Sequence, residues 1–332
     1  MGTMYEREME RNQVFSVVSR SSRENRERLI AEYKRRSEGA FAPQTLRNYR
    51  LIVRQFRTWC VDNDHDPEPP VSPSIVAEWV ESMGGKLAAT TIETRLWGIA
   101  ELHRSMFLVP PCRHRLVELA LKRVKRKFGG GRRQAVALGK AEVLGAIGRL
   151  GTSRKDLRDK ALLWIATDSW CRASEIVAFK VRDLLRQDDG SSLLFLERSK
   201  TDPNGMGAYA YLSPRGAKAV MQWIQLAELK DADPILTKSQ PGGKKAPLDP
   251  STVSRIMKRC TGRKDVSSHS TRVGGVQDAF RLGCDLSSIM VAGRWASAEM
   301  PARYGRKILA SQSAAAQVSR AFEDDDAAED SL

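Results

Sequence analysis

Apolar residues recur every three or four positions along most of this chain, the period of a helix with one buried face. Leu46, Tyr49, Val53, Phe56 and Cys60 form one such stripe, and Pro43 suits the first turn of the helix that carries it. A shorter helix is expected before it, over about Ser22–Arg36. Ser72-Pro73 sets a side-chain cap ahead of a proline at the first helical position. The helix that follows has Ile75, Val76, Trp79, Val80 and Met83 as its buried face and ends at Gly84-Gly85. Ile92, Leu96, Ile99 and Leu102 predict a fourth helix over about Ala88–Met106. Leu116, Val117, Ala120 and Val124 predict a fifth over about Arg113–Lys127.

The pattern breaks at Phe128-Gly-Gly-Gly-Arg-Arg133, a glycine run that reads as a flexible, basic linker. Beyond it, helices are expected over Lys140–Leu150, over Asp156–Trp170 and from Arg172 through Phe179. The period then shortens to two. Ser192–Arg198 and Gly207–Leu212 read as strands joined by a hairpin-like loop, Ser199–Gly205. Helical spacing resumes at Pro214–Leu229, Pro250–Cys260, Ser270–Arg281 and Asp285–Gly293. An alanine-rich segment, Leu309–Phe322, precedes an acidic end. The expected fold is mainly α with a small antiparallel β-sheet. Residues 1–21 form an arm, 22–127 an all-helical domain and 128–133 the linker. A mixed α+β domain follows over 134–308, and a C-terminal helix and acidic tail over 309–332.

Charge sharpens this picture. The 332 residues include 55 Lys and Arg against 40 Asp and Glu, a net +15 that favours a polyanionic partner. Residues 113–133 alone hold nine basic side chains and one acid, Glu118. Arg47, Arg50, Arg54 and Arg57 lie off the apolar stripe of their helix, either as a solvated face or along DNA phosphates. Thr90, Thr91 and Thr94 open the next helix as caps or as groove-facing groups. The five cysteines form no Cys-x-x-Cys pair, so neither a disulfide framework nor a zinc site is expected. No apolar run is long enough for a membrane helix, and the charged N-terminus lacks the apolar core of a signal peptide. A cytoplasmic protein is expected.

The candidate chemistry gathers late in the chain. His269 and Arg272 stand one helical turn apart, and Tyr304 follows between Arg303 and Arg306. Histidine moves protons near neutral pH. Arginine keeps its charge and clamps phosphate oxygens with a planar fork. Earlier come Arg172-x-x-Glu175 at the start of a helix and Lys200 just after a strand. Taken singly these are weak signals, but their order is informative. The chain has no Walker loop and no convincing carboxylate cluster for a two-metal site.

The set resembles the tyrosine recombinase family, most closely its Cre-like members. The resemblance runs from about residue 22 to the C-terminal helix. It is strongest in His269-Ser-Thr-Arg-Val-Gly-Gly275 and Ala292-Gly-Arg-Trp295. It implies a helical core-type DNA-binding domain followed by a catalytic domain that works without metal, ATP or other cofactor. Tyr304 would be the nucleophile, Arg172 and Arg272 the clamps on the phosphate, Lys200 the general acid and His269 a general base. Trp295 would stand where many relatives have a second histidine, and Glu175 would hold Arg172 or His269. The partner would be double-stranded DNA carrying inverted repeats, bound by a homotetramer across two sites. DNA contacts are expected from Arg47, Arg50, Thr94, Lys125, Arg126, Arg132, Arg133, Arg255 and Lys258. The Pro250–Cys260 helix would enter the major groove, and the C-terminal helix would dock on a neighbouring subunit. The setting would be a bacterium, plasmid or phage, at the nucleoid. An integrase or dimer-resolving role in the same family stays open, as does an inactive DNA-binding regulator.

Overall fold

A computed structural model describes residues 23–129, 134–197, 207–238 and 245–329. The chain divides into two compact units, Met1–Arg133 and Gln134–Leu332.

The first unit is helical: α1 (Arg23–Arg36), α2 (Pro43–Asp62), α3 (Pro73–Ser82), α4 (Ala89–Arg104) and α5 (Arg115–Phe128). Ser72 caps α3 by accepting the amide of Ser74. Phe56, Cys60, Trp79, Val80, Ile92, Leu96, Ile99, Val117, Ala120 and Val124 form its core. The Phe56 and Trp79 rings meet edge to face at 4.9 Å between centroids. Two residues expected in the core are exposed. Leu116 sits one position off the stripe that α5 buries through Val117, Ala120 and Val124. Leu46 lies in the first turn of α2, ahead of the buried Ile52, Val53 and Phe56.

The second unit is built on α7 (Arg154–Ser169), preceded by α6 (Lys140–Arg149). The run Ala161–Ala166 is buried on every side, which explains its lack of a polar face. α8 (Ala173–Ala178), α9 (Pro214–Ala227), α10 (Pro250–Thr261) and α11 (Ser270–Arg281) pack around it. The sheet is antiparallel, in the order β1 (Leu184–Arg186), β2 (Ser192–Leu196), β3 (Ala208–Leu212). Leu185 pairs with Leu193, and Leu194 with Ala210. Leu194, Leu196, Ala210 and Leu212 enter the core, while Tyr209 and Tyr211 stand on the exposed face. β1 was not expected, because three residues are too few to show a period. The joining segment that contains Lys200 lies outside the described residues, as do Arg132 and Arg133.

After α12 (Leu286–Gly293) the chain forms α13 (Glu299–Ser311) and α14 (Ala314–Glu329). Leu309 belongs to α13 and packs with the cluster of Val273, Val276, Phe280 and Tyr304. The separate C-terminal helix therefore starts at Ala314, not at Leu309.

Candidate active site

The site is assembled by the ends of helices. α7 stops at Trp170, which takes the left-handed conformation at φ 49°. For a bulky side chain that conformation is strained and has to be held by its surroundings. α12 stops the same way at Arg294, φ 55°. Each stop leaves carbonyls without helical partners at the negative end of a helix dipole.

Two guanidiniums occupy those ends. Arg272, 1% exposed on α11, donates through Nη1 to the Trp170 carbonyl and through Nη2 to the Gly293 carbonyl at 2.5 Å. Its guanidinium also stacks on the Trp295 ring, 4.4 Å from the centroid. Burial, with Arg172 and Arg294 nearby, lowers its pKa to about 10, so it keeps its charge at neutral pH. Arg294 donates to the Ser169 carbonyl at 3.1 Å and the Trp170 carbonyl at 3.3 Å. The two arginines thus share one strained carbonyl.

Glycines permit this closeness. A Cβ on Gly275 would lie 2.3 Å from the Trp170 indole, and one on Gly293 1.7 Å from the Trp295 ring. A Cβ on Gly274 would meet the Leu138 carbonyl at 2.0 Å. The glycines in the sequence motifs are positions where α11 and α12 touch their neighbours.

Arg172 caps α8. The Glu175 carboxylate accepts its amide at 2.8 Å and its Nη1 at 2.7 Å, and lies 3.5 Å from Arg294 Nη2. Burial works to raise the Glu175 pKa, but these bonds outweigh it and hold the carboxyl below its usual range. Of the two partners expected for Glu175, the structure places it on Arg172.

Tyr304 lies on α13, 6% exposed. Its hydroxyl is 2.6 Å from His269 Nε2. Burial raises the phenol pKa despite the attraction of Arg272, Arg172 and Arg303. Burial, then Arg272 and Arg172, lowers that of His269. At neutral pH a protonated phenol therefore faces a neutral imidazole. The Trp295 ring stands edge-on to Tyr304 at 5.8 Å. Behind the phenol, the Tyr304 carbonyl accepts Gln134 Nε2 at 3.3 Å and Gln277 Nε2 at 3.2 Å.

The structure thus brings together Arg172, Glu175, His269, Arg272, Trp295 and Tyr304. Trp170, Arg294, Gln134 and Gln277 join them without having been expected as site residues. Arg294 stood inside a quoted motif; nothing in the sequence marked the other three. Arg47, Arg50, Thr94, Lys125, Arg126, Arg255 and Lys258 are all exposed. Lys125 pairs with Glu93 at 2.5 Å, Arg47 with Gln44 at 2.8 Å and Thr94 with the Thr90 carbonyl at 2.9 Å. Among the described residues, no group of three His, Cys, Asp or Glu side chains is placed to hold a metal ion. No described helix is long and apolar enough to cross a membrane.

A model of the phage integrase family matches residues 138–308, just over half of the chain. The chain belongs to that family, the tyrosine recombinases, and is a DNA strand transferase. It is 27% identical over 320 residues to the recombinase Cre of Escherichia phage P1, covering 88% of this chain and 91% of that one. It is 26% identical over 309 residues to an integrase/recombinase XerD homologue of Selenomonas ruminantium, covering 87% and 89%. Its fold is similar to that of XerH bound to a palindromic difH substrate in a post-cleavage complex. That match has 16% identity and a TM-score of 0.62, over 82% of this chain and 79% of that one. It is also similar to the Tn1549 transposon integrase bound to transposon right-end DNA, with 15% identity and a TM-score of 0.58, over 83% and 93%.

Proposed function

We propose that this protein is a site-specific recombinase that cuts and rejoins DNA at inverted-repeat sites through a 3′-phosphotyrosyl intermediate. The observation that carries this reading is the 2.6 Å contact between His269 Nε2 and the Tyr304 hydroxyl. A phenol with a raised pKa is a poor nucleophile until a base takes its proton, and a neutral imidazole is that base. The phenolic oxygen attacks phosphorus, the bond to the 5′-oxygen breaks, and Lys200 supplies the proton to the leaving oxygen. Arg172 and Arg272 stabilise the charge that builds on the non-bridging oxygens. Two of the five N–H bonds of Arg272 are used on carbonyls, which leaves three for phosphate. Trp295 packs against the arginine and the tyrosine. The linkage keeps the energy of the cleaved bond, so the 5′-hydroxyl of a second strand reverses the step and exchanges partners through a Holliday junction.

Four copies on two sites are the natural assembly for that exchange. α14 supports it, because Val318 and Phe322 lie four residues apart on that helix and both are exposed. In this reading DNA is held by Arg47, Arg50, Thr94, Lys125 and Arg126 from the first unit, by Arg132 and Arg133 of the linker, and by Arg255 and Lys258 from α10. A bacterial, plasmid or phage setting at the nucleoid fits the sources of the relatives.

The test is covalent capture. Wild type and Tyr304→Phe are expressed in bacterial cells, denatured and recovered, and the attached DNA is sequenced. Adducts focused on one pair of inverted repeats, with at least a thousandfold fewer from Tyr304→Phe, are expected. Adducts scattered over all DNA would replace the reading with a topoisomerase-like one. Equal DNA recovery from both proteins would refute Tyr304 as the nucleophile.

A further inference from the structure

α10 carries three polar residues on one strip, Thr252, Arg255 and Arg259, spaced at three and four. Val253, Ile256, Met257 and Cys260 take the buried side. On that strip Arg255 and Arg259 look interchangeable, and the structure separates them. Arg255 Nη2 donates to Thr252 Oγ1 at 2.8 Å, within its own helix. Arg259 Nη2 instead donates to Oδ2 of Asp159 on α7. The Asp159 side chain is 1% exposed, whereas that of Arg259 is 43% exposed. The other oxygen of Asp159 accepts Arg158 Nε at 3.0 Å and Nη2 at 2.6 Å. One buried carboxylate therefore holds two guanidiniums, one on each oxygen.

We propose that Asp159 withholds Arg259 from DNA, so that α10 meets its target through Thr252, Arg255 and Lys258. This rests on the reading above that α10 faces DNA. A carboxylate with almost no access to water gains most from every partner it keeps. A phosphate in solvent offers Arg259 only a screened contact. An arginine free to roam would add phosphate contacts common to every sequence and raise background binding. The tether has a second effect. It fixes α10 to the helix whose far end, at Trp170, supplies the carbonyl that holds Arg272. The recognition helix and the site are therefore positioned by one element.

The experiment uses the whole protein and a 30-base-pair duplex of random sequence, with affinity measured by fluorescence anisotropy between about 50 and 300 mM salt. Arg255→Gln and Lys258→Gln should each reduce the slope of log K against log salt by about one. Arg259→Gln should leave the slope and the affinity unchanged within twofold. Asp159→Asn should raise the slope by about one and tighten binding several-fold. Should Asp159→Asn fail to fold, Arg259→Gln decides alone, because Arg158 still pairs with Asp159 in that variant. A loss of slope in Arg259→Gln equal to that in Arg255→Gln would overturn the proposal. If neither Arg255→Gln nor Lys258→Gln altered the slope, α10 would not face DNA and the proposal would fall with that placement. Tyr304-dependent adducts in the capture experiment would still report the chemistry independently.

Discussion

The two units use their cations in opposite ways. In the first, most arginines and lysines lie exposed on the helices, and several pair with surface glutamates: Arg57 with Glu68, Arg123 with Glu81, Lys125 with Glu93. Such pairs contribute about 0–1 kcal/mol and can exchange a carboxylate for a phosphate at little cost. In the second unit, Arg272 and Arg294 are sunk among helix ends and held by backbone carbonyls. Their carbonyl bonds hold them in place, with the charge of Arg272 beside His269 and Tyr304. In the function proposed above, the exposed cations would set affinity and the pinned ones chemistry.

Four substitutions and one pH profile sharpen this contrast. The largest effect is expected from Arg272→Lys. A lysine keeps the charge but loses the fork that spans the Trp170 and Gly293 carbonyls. Adduct formation should fall by a factor on the order of 10²–10³, the size seen when one charge-stabilising donor is lost. A gel shift should show DNA affinity changed far less. An equal loss of affinity and rate would mean that Arg272 belongs with the surface cations.

The pH dependence comes next. The His269 pKa is lowered from its ordinary value, so the ring stays neutral, and able to accept a proton, at pH values where a free histidine is already half charged. The acid limb of the adduct-formation profile should therefore lie below about pH 6.5. His269→Gln should remove that limb and slow the reaction by about 10²-fold. A limb above that pH would show that the imidazole is not the base. The smallest effect is expected in the first unit. Arg126→Gln should lower the salt slope of DNA binding by about one, and Lys125→Gln by less, because Lys125 already has a carboxylate.

The same contrast explains what could be read from the chain alone. Helices with a buried stripe were legible because their period is a direct imprint of the core, as in α2 and α4. Leu46 and Leu116 misled because an apolar residue at a helix start, or one position off the stripe, satisfies the same period. The residues of the candidate site were legible in His269-x-x-Arg272 and Tyr304 because few side chains handle a phosphate and a proton, and the structure brings them together. What held those groups was not. A backbone carbonyl such as that of Trp170 belongs to every residue, and no letter records that its φ is positive. The expected DNA contacts stayed undecided for a related reason, since a solvated arginine and one awaiting a phosphate are the same residue until a tether like Asp159 is seen.

The glycine contacts divide the molecule for anyone who would retarget it by directed evolution. At Gly274, Gly275 and Gly293 even a methyl group would collide with a carbonyl or an indole, so random mutagenesis there samples chains whose helix contacts must shift. Arg255 and Lys258 are exposed on α10 and Thr252 is half-buried beside its buried face. If α10 faces DNA as proposed above, a library confined to those three positions would search new DNA sequences while leaving Tyr304, His269 and the buried arginines unchanged.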